Sequence, residues 1–147
     1  MTHSLEHVYD LRYDSDYVAA VRDATANTSD FGLVPEHGLL GSTDWWRAVD
    51  ARTIPLHEIR GRISRVYASG HDDYPEFEID DGTGKTAWPR LTSTTDDDAL
   101  TRSEKASLYK IGAPVQVTYV LQKPKRIIPG LGATHEVVIG IWIGPPS

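Results

Sequence analysis

The chain has no cysteine, which excludes a disulfide framework and any thiolate metal site. It has no long apolar run either. The longest, Val137-Val138-Ile139-Gly140-Ile141-Trp142-Ile143, is far too short to span a bilayer. The first residues, Met1-Thr2-His3-Ser4-Leu5-Glu6-His7, offer neither a basic start nor an apolar stretch, so they do not read as a signal peptide. Catalytic signatures are missing as well. There is no G-x-S-x-G elbow, no HExxH and no EF-hand spacing. The carboxylates fall in polar loops or at outward strand positions, where nothing tunes an acid or base. These absences predict a soluble cytoplasmic protein with no membrane partner and no cofactor.

Positive charge is scarce at one end. Residues 1–51 carry three Lys/Arg against nine Asp/Glu, whereas 52–90 carry six against seven and 91–147 six against five. The whole net charge of −6 therefore sits in the first third. An acidic surface repels polyanions, but here that objection falls on the N-terminal segment and spares the rest.

The first third reads as helical and loop-like. Asp14 or Ser15 caps one helix with Tyr17, Val18 and Val21 on its apolar face. "GLLGSTDWWRAVDA" (38–51) makes a second, capped by Ser42 or Thr43, with Asp44 at the positive end of the dipole. From residue 56 the period changes to two. Ile59, Gly61 and Ile63 alternate with Glu58, Arg60, Arg62 and Ser64 in a long strand, and Gly61 suits a bend or bulge. Phe77 and Ile79 mark a second strand, and Lys85 to Arg90 a third. Thr101 and Glu104 have capping-box spacing, which predicts a short helix over about 102–110 that stops at Gly112. Val115, Val117, Tyr119 and Leu121 mark a fourth strand. Val137, Ile139, Ile141 and Ile143 mark a fifth.

"DDGTGKTAW" (80–88) contains the tail of a phosphate-binding loop, Gly82-Thr83-Gly84-Lys85-Thr86. A Walker A loop needs a further glycine at position 79, which is Ile79, and it must open a helix, which Trp88-Pro89 opposes. Asp80 and Asp81 would repel the phosphate. The stretch reads instead as a hairpin turn whose glycines supply positive φ.

The resulting order is β-β-β-α-β-β after an acidic helical extension over 1–55. With its long first strand, mid-strand glycine and Gly-rich hairpin, the segment from about 56 to 144 resembles OB-fold domains of the nucleic-acid-binding kind. That resemblance implies a mainly β fold, a five-stranded OB-like Greek-key barrel over 56–147, with a ligand groove on the strand two–three face and the loop between strands four and five. Three functional readings follow. The first is a non-catalytic binding module for a macromolecular partner, a protein above all, in which Trp45 and Trp46 supply interface aromatics and the acidic surface caps a basic partner. The second is single-stranded DNA or RNA binding. Arg60, Arg62, Lys85, Arg90, Lys123, Lys125 and Arg126 would track the backbone, and Tyr74 and Trp88 would stack on bases. The third is a small enzyme with a pocket between extension and barrel.

Overall fold

The computed structural model describes residues 5–27, 37–69, 74–95, 98–123 and 135–146. Its chain order is β1 (Glu6–Asp10), a 3-10 turn η1 (Leu11–Tyr13), α1 (Ser15–Asn27), α2 (Thr43–Asp50), β2 (His57–Ser69), β3 (Tyr74–Asp80), β4 (Lys85–Pro89), α3 (Arg102–Ala106), β5 (Pro114–Gln122) and β6 (His135–Ile143). The strands form one antiparallel sheet in the order β1-β6-β5-β2-β3-β4.

The five strands foreseen from the sequence are therefore joined by a sixth, and the closed five-stranded barrel gives way to an open sheet. The reason is a competition for one edge. A sheet β6-β5-β2-β3-β4 closes only if its end strands, β6 and β4, pair. Over Gly140–Ile143 the second edge of β6 is occupied by β1, with Tyr9 opposite Ile141 and Asp10 opposite Gly140. That stretch of β6 is closed to β4, which pairs with β3 alone.

Period-two patterning sets the two faces. Ile63, Phe77, Ile79, Trp88, Val115 and Val117 are buried on one side, and Arg60, Arg62 and Arg65 project on the other. Irregular register between Ile63 and Arg65, between His7 and Tyr9 and between Thr118 and Tyr119 bends the sheet. Gly61 answers to a close approach. A Cβ there would meet the Asp80 carbonyl and would lie 2.9 Å from Ile79 Cγ2. The β3–β4 hairpin forms as read, with Gly82 at φ 91°. Asp81 organises its turn by accepting from the backbone N–H groups of Thr83 and Gly84. These bonds hold the Asp81 carboxyl below its ordinary pKa.

One hydrophobic core serves sheet and helices. It joins Val8, Tyr9 and Leu11 to Trp45 and Val49 of α2 and to Phe77, Val117 and Ile141 of the sheet. The segment after β4 then crosses to the far side. Ser93 donates its N–H to Val8 O at 3.0 Å, and its hydroxyl accepts from Asp10 N at 2.8 Å. The outer edge of β1 is thus satisfied at both groups. The ammonium of Lys105 in α3, 5% exposed, fastens this segment by donating to Ser93 O at 2.6 Å and to Asp98 Oδ2 at 2.7 Å. The capping box at Thr101 and Glu104 is present, and α3 ends at Ala106, short of the helix foreseen to 110.

Candidate partner-binding surface

Adjacent helical residues point about 100° apart, so the pair Trp45-Trp46 divides between two environments. Ser42 Oγ caps α2 by accepting from Trp45 N at 3.2 Å, which fixes the rotation of the helix. Trp45 then faces the core, fully buried, and donates from Nε1 to Gln122 Oε1 at 3.3 Å. Trp46 stands edge-on to it, with ring centroids 4.9 Å apart, and remains half-buried.

The 3-10 turn η1 brings a cation onto this aromatic. The guanidinium of Arg12 lies 3.8 Å above the Trp46 ring and 3.3 Å from Asp50. Arg47 pairs with Asp44 at 3.5 Å. Between them lies an open depression of about 430 Å³ lined by Arg12, Gly41, Thr43, Trp46, Arg47 and Asp50. An indole flanked by exposed ion pairs offers flat apolar contact and reversible charge pairing, which suits recognition of a protein surface. In β1, burial and a hydrogen bond to Asp14 push the Tyr9 phenol well above its ordinary pKa, so it stays a structural donor. The sequence pattern alone does not link Arg12 to this site. Arg12 comes next to α2 through η1, which no local sequence signal marks.

The residues expected to form a nucleic-acid track disperse. Trp88, 4% exposed, is a core residue opposite Phe77, with its indole N–H on Thr86 Oγ1 at 2.8 Å, so it offers no stacking face. Arg60 pairs with Glu58. Arg62 stands opposite Asp80 and donates to Gly112 O at 3.0 Å. Arg90 is half-buried and donates to Tyr67 O at 3.0 Å. Tyr74 is exposed at the start of β3, Lys85 is exposed at the start of β4, and Lys123 lies just past β5. Lys125 and Arg126 lie outside the described residues. The outer face of β3 interleaves Glu76, Glu78 and Asp80 among these cations. Interleaved carboxylates and a buried Trp88 leave no cationic groove lined with stacking faces among the described residues, and nucleic-acid binding is not supported. No helix among the described residues is long and apolar enough to cross a membrane.

No curated protein matches the chain. The model of one family, described as Immunity protein RhsI2, matches residues 5–141, from β1 into β6 and so through every element of the fold. The chain belongs to that immunity protein family.

Proposed function

We propose that this protein neutralises a protein toxin by binding it, without chemistry of its own. The observation that carries this reading is membership of an immunity protein family over residues 5–141. The surface is consistent with it. Trp46, braced by Arg12 and bordered by Arg47 and Asp50, provides an aromatic anchor at the open depression, and Trp is favoured at interface hot spots.

The test is a pair of measurements with the toxin encoded by the neighbouring gene. Cells producing that toxin survive when this chain is co-produced, and the purified toxin domain and this chain co-elute as one species. Arg47, whose side chain is 75% exposed, tests the surface. Arg47→Glu leaves the fold unchanged and weakens the complex by roughly tenfold, the order of one disrupted interface contact. Absence of both rescue and co-elution with the unaltered chain refutes the proposal.

A further inference from the structure

The outer side of β1 is bonded by Ser93, whereas the outer side of β4 has no backbone partner among the described residues. The ladder between β3 and β4 is framed by two backbone bonds, Asp81 N to Gly84 O and Arg90 N to Pro75 O, both 3.1 Å. In an antiparallel pair, directly opposed residues alternate between exchanging hydrogen bonds and pointing them away. With Gly84 and Arg90 bonded inward, Thr86 and Trp88 are bonded inward too. The N–H and C=O groups of Lys85 and Ala87 therefore point outward, away from β3. Lys85, Thr86 and Ala87 are all exposed, and no described residue bonds the outer side of β4. Pro89 occupies the next outward position and has no N–H, so the template offers two donors and then stops.

The side chains on this rim specify the strand that fits. On the outer face, Lys85 stands opposite Asp80 and Ala87 opposite Glu78. Ala87 is too small to cover Glu78, which accepts from Ser64 Oγ at 2.9 Å on one carboxylate oxygen only among the described residues. An added strand with a basic side chain facing Ala87 reaches the Glu78 carboxylate diagonally. An acidic side chain facing Lys85 pairs with its ammonium.

Resting on the toxin-neutralising reading, we infer that β4 is a docking edge onto which an extended segment of the toxin adds as a seventh, antiparallel strand, held by main-chain bonds at Lys85 and Ala87 and selected by alternating basic and acidic side chains. Strand addition of this kind draws affinity from the backbone and specificity from every second side chain.

Amide hydrogen exchange of the full chain, free and with the purified toxin domain from the neighbouring gene, tests this. In the free chain the amides of Lys85 and Ala87 exchange quickly, whereas those of Thr86 and Trp88 are protected. In the complex, Lys85 and Ala87 slow by about tenfold or more, and Ala87→Pro, which removes an outward donor without touching the ladder to β3, binds about tenfold more weakly. The exchange measurement uses the unaltered chain and does not depend on how the variant folds. A complex in which Lys85 and Ala87 exchange at their free rates overturns the strand addition and leaves toxin binding standing. Protection in the free chain that rises with its own concentration assigns the edge to a second copy and likewise overturns it. Failure of the unaltered chain to form any complex overturns both readings.

Discussion

The outer edges of β1 and β4 face the same physical problem and meet it in opposite ways. Each presents a row of backbone groups that must find partners in protein or water. On β1, the Val8 carbonyl and the Asp10 N–H are both met by Ser93. Ser93 is held in turn by Lys105, which reaches back to Asp98. On β4, Lys85 and Ala87 are left to solvent, with only a cation and a proline to limit what can pair there. One edge is built into the fold through contacts far apart in sequence, and the other is kept available. The β1 edge is therefore part of the fold's own bonding, whereas the β4 edge stays open to pairing.

The sharpest way to break this contrast is to make the same substitution on each edge. Lys105→Met keeps the length of a buried side chain but leaves the Ser93 carbonyl without its charged donor, at a cost of about 2 kcal/mol. Thermal unfolding registers that loss, and the Asp10 amide exchanges faster as the latch loosens. Lys85→Met on the open edge changes stability by no more than about 0.5 kcal/mol, because the side chain is exposed and bonds to none of the described residues. Equal losses at the two positions would erase the distinction between a structural edge and a free one.

A smaller effect comes from pH, through the same latch. The hydrogen bond from Lys105, followed by one from the Thr95 N–H, lowers the Asp98 carboxyl from 3.8 to about 2. A carboxyl depressed in the folded state stabilises it above the unfolded value. That contribution is complete above pH 3.8 and disappears as pH falls towards 2. Its size is limited because the Asp98 side chain is a third exposed. The melting temperature of the native chain therefore falls between pH 5 and pH 2 more steeply than that of Asp98→Asn, which lacks this carboxyl. Parallel profiles for the two proteins would remove Asp98 from the latch.

Much of the scaffold is written in local pattern. The alternation around Ile63 and Val117, the Ser42 cap, the Thr101–Glu104 capping box and the Gly82 turn are readable residue by residue, and each appears in the fold. What escaped reading is non-local or irregular. In β1, the register shift between His7 and Tyr9 brings Val8 and Tyr9 into the core together, which destroys the alternation that marks a strand. Without β1, nothing in the sequence tells which strand takes the second edge of β6, and that choice decides between a closed barrel and an open sheet. Trp88 reads as a stacking aromatic in the sequence, yet it shares its phase with Thr86 and stands opposite Phe77, which puts it inside. Lys105 looks like any helical surface lysine, and only the path of residues 91–95 across to β1 buries it. The Trp46 site was legible as an aromatic and hidden as a site, because Arg12 reaches it through the turn that follows β1.

The finest test concerns what ends the open edge. Pro89 stands opposite Glu76 at the next outward position of β4, so its missing N–H costs the ladder to β3 nothing. Its ring removes the third donor that an approaching strand would use. Pro89→Thr restores that donor and a β-branched side chain, extending the template from two outward N–H groups to three. Folding stability changes little, by about 0.5 kcal/mol from the freer unfolded chain. The measurable consequence is association. In sedimentation velocity the variant self-associates at concentrations where the native chain sediments as a single monomeric species, because a longer unsatisfied edge pairs with less selective strands. The added pairing is absent when Ala87→Pro is combined with Pro89→Thr, since the same edge has then lost its central donor. Association that persists in the double variant would place the contact elsewhere and would leave Pro89 without a part in limiting the edge.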